Sequence, residues 1–178
     1  QQILNCLDTS EFVIYGHSMG AYLALKVSSL LEETGRQALL IFVSGNAGPG
    51  VSTNKNHHLL NNEDFIIEVG KLGGLPREVL ESKDLIEIFT PILKADFEIV
   101  SEALIISSVI NSPIIAMMGD LEENVGEIRN WQTFTNTDFK YRIFEGEHFF
   151  IYDHPKEISK LIRQNYDIVF RNKCASRL

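Results

Sequence analysis

Three kinds of side chain that together carry out nucleophilic catalysis occur far apart in this sequence. A serine, Ser18, lies in the pattern G-x-S-x-G, and a histidine, His148, follows much later. A short acidic cluster lies between them: Asp120, Glu122 and Glu123. A serine hydroxyl becomes a strong nucleophile when a histidine takes its proton, and a carboxylate orients that histidine and stabilises its cation. The residue types therefore predict catalysis by an activated serine.

The pattern G-x-S-x-G supports this chemistry at a sharp turn from a strand into a helix. The apolar run 12–15 before Gly16 predicts a buried strand, and small residues at helical spacing follow Gly20. A bulky residue at position 16 or 20 is expected to strain the turn. Ser18 should then project above the carboxyl end of the sheet. There the helix N-terminus favours negative charge, and the Met19 amide is placed to donate to an oxyanion.

Continuous apolar runs predict further strands over 38–44 and 114–118. A fourth strand is expected over 141–144, before Gly146. Strand, helix and strand at this spacing predict parallel crossover units, so the strands should end at one edge of the sheet. The acidic cluster follows the third strand and His148 follows the fourth, which brings both to the edge where Ser18 lies. The chain order serine, acid, histidine is that of the α/β-hydrolase fold. We therefore predict the α/β class with a mostly parallel sheet.

The segment 46–110 lies between two predicted strands and is longer than a crossover requires. A loop over 45–58 contains adjacent histidines, His57 and His58, for which solvated surface is favoured over a metal or catalytic role. From position 62 the apolar residues recur at helical spacing, with a stop at Gly73-Gly74 and a kink or break at Pro91. We predict a helical cap over 46–110 within a single domain of 1–178. Four of its apolar residues are expected either to line an acyl channel or to pack between helices: Phe65, Leu72, Phe89 and Phe97.

The two ends of the chain are predicted to differ. Residues 1–10 have the spacing of a helix tail, and Pro155 begins a helix with an apolar stripe, whereas the tail 171–178 is polar and expected to fray. Cys6 and Cys174 lack the spacing of a zinc site and indicate no disulfide framework.

Composition limits the class of protein. The chain has 178 residues, of which 44% are hydrophobic and 22% charged, as in one globular domain. No apolar run is long enough for a membrane helix, and no signal segment opens the chain. The net charge of -8 argues against a nucleic-acid partner. We expect a cytoplasmic, monomeric protein that needs neither a metal nor a cofactor.

The chain resembles the type II thioesterases, α/β-hydrolases that accompany nonribosomal peptide, polyketide and fatty-acid synthases. The resemblance rests on motifs spread over nearly the whole chain: GHSMGA at 16–21, VSGNAGP at 43–49, LGGLP at 72–76, KADFE at 94–98, PIIAMMGD at 113–120, Trp131 and GEHFF at 146–150. The cap motifs are more particular to this family than the G-x-S-x-G pattern.

The resemblance implies the role of each site residue. Ser18 would be the nucleophile, His148 the general base and then acid, and Met19 an oxyanion donor through its amide. Glu122 would be the acid that orients His148, at a position where the family usually has an aspartate, and Asp120 is the alternative acid. The implied reaction is hydrolysis of acyl or aminoacyl thioesters on the phosphopantetheine arm of an acyl or peptidyl carrier protein, which clears stalled or mischarged synthases.

The resemblance also leaves other functions open. The family has about seventy residues before the point where this sequence begins, including a loop that supplies a second oxyanion amide. We therefore expect the sequence to lack the N-terminal strands of the domain, and activity of the chain as given stays open. The alternatives are an esterase or lipase acting on small esters, and a non-catalytic hydrolase-fold binding module or inactive fragment.

Overall fold

The protein contains a four-stranded parallel sheet. The structure is a computed structural model that describes residues 7, 9, 11–51, 56–73, 75, 77–103 and 108–175. The strands are β1 (Val13–His17), β2 (Leu40–Ser44), β3 (Ile114–Gly119) and β4 (Phe139–Phe144), in the spatial order β1-β2-β3-β4. Each predicted strand is present, so the prediction of parallel crossover units is confirmed.

Both faces of the sheet are covered. Successive side chains of a strand point to opposite faces, and Ile41 and Val43 belong to one buried cluster while Leu40 and Phe42 belong to the other. The first cluster packs beneath helix α1 (Met19–Glu33), which follows β1 directly. Ile158 of the C-terminal helix packs in the second cluster. All five residues of β2 are buried, which explains why its first four residues are apolar.

Parallel pairing brings the ends of the strands together. His17 at the end of β1 lies beside Ser44 at the end of β2, and Gly119 at the end of β3 lies beside Phe144 at the end of β4. The residues that follow each strand therefore lie along one edge of the sheet.

Between β2 and β3 the described ranges contain three α-helices: α2 (Asn62–Lys71), α3 (Arg77–Leu80) and α4 (Lys83–Ala103). Gly73 adopts a φ of 75° just after α2, as its predicted helix stop requires. Pro91 lies inside α4 and does not divide it. The second glycine of the predicted stop, Gly74, lies outside the described residues.

The remaining connections are short helical segments. A 3-10 helix, Val125–Phe134, joins β3 to β4 and buries Trp131, and another, Phe150–Tyr152, follows His148. Helix α5 (Pro155–Ala175) ends the described chain. The prediction of a frayed tail from 171 is wrong as far as Ala175, where the chain is still helical. Residues 176–178 lie outside the described part of the chain. Most of the predicted helix tail at 1–10, including Cys6, also lies outside it. In the described ranges, no helix is both long and apolar enough to cross a membrane.

Candidate active site

Ser18 lies at a strained turn between β1 and α1. Its φ of 55° and ψ of −120° place it in a backbone region that residues with a side chain rarely adopt. The Ser18 amide donates to the Ser44 carbonyl oxygen at 2.7 Å, which ties the turn to the end of β2. A Cβ atom at Gly16 would lie 2.0 Å from the Gly20 carbonyl oxygen, so only glycine fits there. A Cβ atom added to Gly20 meets nothing within 4 Å, so a small side chain fits at position 20.

The structure brings Ser18, His148 and Glu122 into one chain of contacts. His148 Nε2 lies 3.0 Å from Ser18 Oγ, and His148 Nδ1 lies 3.0 Å from Glu122 Oε2. An ionised carboxylate only accepts hydrogen bonds, so Nδ1–H donates to Glu122 and Nε2 is left to accept the Ser18 proton. The side chains of His148 and Glu122 are 16% and 8% exposed. The arrangement can therefore remove a proton from Ser18 in a place largely shielded from water.

Glu122 reaches His148 because its longer side chain folds back toward β3. Its Oε1 atom accepts a hydrogen bond from the Gly119 amide at 2.8 Å, while Oε2 faces His148. Both carboxylate oxygens are occupied, which fixes the carboxylate in one orientation. The extra methylene group, compared with an aspartate, is thus accommodated in the loop.

Asp120 occupies a different place. Its Oδ1 atom accepts a hydrogen bond from the Gly146 amide at 2.8 Å, which joins the loop after β3 to the loop that carries His148. A Cβ atom at Gly119 would lie 2.3 Å from the Gly146 carbonyl oxygen, so a glycine is needed for the two loops to approach. Asp120 therefore holds the loops together and does not contact His148, while Glu123 is exposed.

The predicted oxyanion donor, Met19, is the first residue of α1. Amides in the first turn of a helix have no partner inside the helix, so the Met19 N–H is available to a ligand. Asn46, which was not singled out from the sequence, stabilises this turn. Its side-chain Nδ2 atom donates to the Ser18 carbonyl oxygen at 2.7 Å, and its backbone carbonyl oxygen accepts from Trp131 Nε1 at 3.0 Å. In the sequence, the sign of this role is its place two residues after the end of β2.

His17 also contacts the site, although the motif leaves its position open. Its ring centroid lies 5.0 Å from that of His148, and its Nδ1 atom lies 2.8 Å from Ser44 Oγ. Burial, and secondly the charge of His148, lower the pKa of His17 from its ordinary 6.5 to about 4. His17 is therefore uncharged at neutral pH.

A cavity of about 660 Å³ opens above Ser18, between the sheet edge and the helices that follow β2. Its lining is largely apolar and includes Met19, Tyr22, Leu93, Phe97, Met118 and Phe149. Two of the four predicted channel residues, Leu72 and Phe97, line this cavity. Phe65 is instead fully buried, with its ring against Phe97, and Phe89 is 39% exposed. The size lies within the range of small-molecule sites.

The two adjacent histidines depart from the prediction of a solvated loop. His57 and His58 begin a 3-10 helix, His57–Leu59, and both are only partly exposed. The His57 ring lies 5.8 Å from that of Phe97, and His57 lines the cavity. Among the described residues, no group of three or more histidines, cysteines or acidic residues could hold a metal ion.

Comparison of the sequence with known proteins gives several related thioesterases. The family model of the thioesterase domain matches residues 1–166. The medium-chain S-acyl fatty acid synthase thioesterase of Rattus norvegicus is 29% identical over 166 residues, which are 84% of this chain and 59% of the relative. The gramicidin S biosynthesis protein GrsT of Aneurinibacillus migulanus is 29% identical over 167 residues, 91% of this chain and 65% of the relative. The chain thus spans less than two thirds of the length of these relatives.

Solved structures give the same fold. The crystal structure of ClbQ from the colibactin NRPS/PKS pathway superposes with a TM-score of 0.82 at 26% identity, covering 95% of this chain and 74% of that one. YbtT, a type II thioesterase from the yersiniabactin NRPS/PKS pathway, also gives a TM-score of 0.82, at 22% identity over 95% of this chain and 71% of that one. The predicted α/β-hydrolase fold class is confirmed.

Proposed function

Because the chain belongs to the thioesterase domain family, we propose that it hydrolyses acyl or aminoacyl thioesters on the phosphopantetheine arm of a carrier protein. The observation that carries the proposal is the contact chain from Ser18 Oγ through His148 to Glu122, with both distances at 3.0 Å. Two relatives are named for gramicidin S biosynthesis and for an NRPS/PKS pathway, which supports a synthase-bound substrate. The role would be to release stalled or mischarged acyl groups from such synthases.

The first half of the reaction forms an acyl-enzyme. His148 Nε2 takes the Ser18 proton as Oγ attacks the thioester carbonyl carbon, and the carbonyl oxygen becomes an oxyanion. The Met19 amide donates to this oxyanion at the N-terminus of α1, whose dipole favours negative charge. The carbon–sulfur bond then breaks, and His148 returns the proton to the departing sulfur. Glu122 stabilises the intermediate histidine cation throughout.

The second half releases the acyl group by the same residues. His148 takes a proton from a water molecule, whose oxygen attacks the ester carbon of acylated Ser18. The second oxyanion collapses, the bond to Ser18 Oγ breaks, and His148 gives the proton back to Oγ. The products are a carboxylic acid and the free pantetheine thiol, and the enzyme returns to its starting state.

The cavity supports a substrate with an apolar acyl group. Leu93 and Phe97 lie one helical turn apart on α4, and both line the cavity above Ser18. We propose that the helices between β2 and β3 form a cap that shields the acyl-enzyme. The cap would exclude bulk water and position the thioester carbonyl near Met19.

The test measures thiol release from an acetylated or aminoacylated carrier protein by the whole protein as its gene encodes it. A Ser18→Ala variant is compared beside the wild type, with an oxygen ester of the same acyl group as a second substrate. We expect the wild type to release the thiol and the Ser18→Ala variant to release none. In rapid-quench samples of the wild type, an acyl group should accumulate on Ser18.

Other outcomes decide against the proposal. Faster turnover of the oxygen ester than of the thioester would make the protein an esterase. Release that persists in Ser18→Ala would remove Ser18 from the reaction. A folded protein that binds the carrier without thiol release would be a binding module.

A further inference from the structure

His17 occupies a position at which the G-x-S-x-G pattern accepts many residues. The sharp turn depends on the clearance at Gly16 and on the backbone of Ser18, and neither depends on the side chain at 17. His17 nevertheless has more contacts with the site than the turn explains. Its partners are the Ser44 hydroxyl and the His148 ring.

His17 is tethered to the neighbouring strand. His17 and Ser44 are paired in register, so their side chains lie side by side on the same face of the sheet. His17 Nδ1 lies 2.8 Å from Ser44 Oγ, and the same oxygen lies 2.9 Å from the hydroxyl of Tyr15. Ser44 is fully buried, so this hydroxyl has a fixed place. The tether therefore sets the orientation of the His17 ring.

The His17 ring also packs against the ring of His148. The two centroids are 5.0 Å apart, and the Phe149 ring lies 5.4 Å from the His17 ring and 4.9 Å from the His148 ring. Gly45 lies where the two imidazoles meet, because a Cβ atom there would be 2.6 Å from His17 Cε1 and 3.1 Å from His148 Cε1. A side chain at position 45 would push the rings apart.

The surroundings of His17 disfavour its protonation, so it does not compete with His148 for a proton. The titratable groups near it are Tyr15, through Ser44, and His148, with Glu122 behind His148. Burial raises the pKa of Tyr15, so the phenol is also uncharged. The Nε2 atom of His17 is buried and has no hydrogen-bond partner in the described part of the chain, so a cation there would be unpaired. His148 can accept the Ser18 proton beside an uncharged neighbour.

We propose that His17 is a positioning residue for His148: its ring, tethered to Ser44, holds the His148 imidazole with Nε2 toward Ser18 and Nδ1 toward Glu122. This proposal rests on the proposed serine thioesterase function. The aromatic ring supplies the contact and Ser44 supplies the orientation. Removal of either is expected to let the His148 ring rotate away from the 3.0 Å contacts on its two nitrogens.

The test uses three variants and two readouts in the whole protein. His17→Ala removes the ring, His17→Phe keeps a ring without the tether, and Ser44→Ala removes the tether alone. The first readout is kcat and KM for thioester hydrolysis. The second is the low-field proton resonance of His148 Nδ1–H in the resting protein, identified by its loss in Glu122→Gln. His154→Ala serves as the control, because His154 lies outside the cavity and bonds the Glu145 carbonyl oxygen.

We expect His17→Ala to lose about 10- to 100-fold in kcat with KM within about twofold, since misplacing a catalytic group by about 1 Å has this effect. The resonance should broaden or disappear. His17→Phe and Ser44→Ala should lose less, about 3- to 10-fold, and His154→Ala should match the wild type in both readouts.

Two results would overturn the proposal. One is a folded His17→Ala variant that keeps both kcat within twofold and the resonance. The other is a loss of activity that follows a lower urea midpoint and recovers fully on cooling, which would make His17 a stabilising residue only. The resonance needs no turnover, so it tests His17 even if the whole protein hydrolyses no thioester.

Discussion

Replacing Glu122 by glutamine tests the assignment of the acid more sharply than removing it, because the shape of the side chain is kept. In the native site two donors require acceptors: the Gly119 amide at 2.8 Å and His148 Nδ1–H at 3.0 Å. A carboxylate offers both oxygens, whereas an amide offers one oxygen and one NH₂ group. One of the two donors must therefore face an NH₂ group in Glu122→Gln.

The expected magnitude follows from which donor keeps the oxygen. The Gly119 amide can only donate, whereas the His148 imidazole can carry its proton on either nitrogen, so the oxygen stays with Gly119 and the NH₂ group donates to His148 Nδ1. The proton of His148 then resides on Nε2, which can no longer accept the Ser18 proton. Loss of the correct tautomer costs about 10⁴-fold in kcat in a serine protease triad. We expect about 10³- to 10⁴-fold here, equal to about 4 to 5.5 kcal/mol of transition-state stabilisation.

The matched control is Asp120→Asn. Asp120 is used as a single acceptor, by the Gly146 amide at 2.8 Å, and an asparagine oxygen can take that role. We expect less than about a threefold change in kcat/KM. Steady-state kinetics of thiol release from an acyl-pantetheine carrier protein measure both variants, with urea unfolding to verify the fold. A larger loss in Asp120→Asn than in Glu122→Gln, or a loss below tenfold in Glu122→Gln, would refute the assignment of the acid.

Two further predictions concern stability. Gly16→Ala should destabilise the protein by about 3 kcal/mol or more, because its Cβ atom would lie 2.0 Å from the Gly20 carbonyl oxygen. Gly20→Ala should be neutral or stabilise the protein by up to about 1 kcal/mol, because position 20 lies within α1. Equal losses of unfolding free energy in urea for the two variants would contradict these clearances. The folded pKa of His17 is about 4, below its ordinary 6.5, so the unfolded chain binds the proton first and stability is lost as the pH falls from about 6.5 to about 4. Between pH 7 and pH 5 this loss of unfolding free energy should be about 1 to 2 kcal/mol for a half-buried ring. His17→Phe should remove the loss. If the slope of unfolding free energy against pH is the same in His17→Phe as in the wild type, His17 is not the group responsible.

Much of the architecture could be predicted because it depends on local patterns. The unbroken apolar runs of β2 and β3 have no exposed position, and only a strand covered on both faces buries every residue in this way. The strand, turn and helix around Ser18 followed from the glycine at 16 and the small residues after 20. The resemblance to thioesterases, stated from motifs alone, is confirmed by the family model over residues 1–166.

The details that the sequence could not predict depend on where loops approach one another. Three acidic residues within four positions are chemically alike, and only the resemblance to the thioesterases favoured Glu122 over Asp120. Only the folded loops show that Glu122 turns back to the Gly119 amide and faces His148, while Asp120 bonds the Gly146 amide. The prediction that His57 lies in a solvated loop failed for the same reason, because His57 contacts Phe97 on a helix that is distant in the sequence.

The sequence by itself determined the sheet, the turn at Ser18 and the chain order of serine, acid and histidine, because each depends on residues that are close neighbours along the chain. The tertiary structure decided which carboxylate meets His148, which residues hold the turn and which side chains line the cavity. Those relations depend on strand register, such as His17 beside Ser44, and on glycines that let two backbones approach, as Gly119 does at Gly146. Contacts of this kind join residues that are far apart in sequence, and side-chain chemistry alone does not specify them.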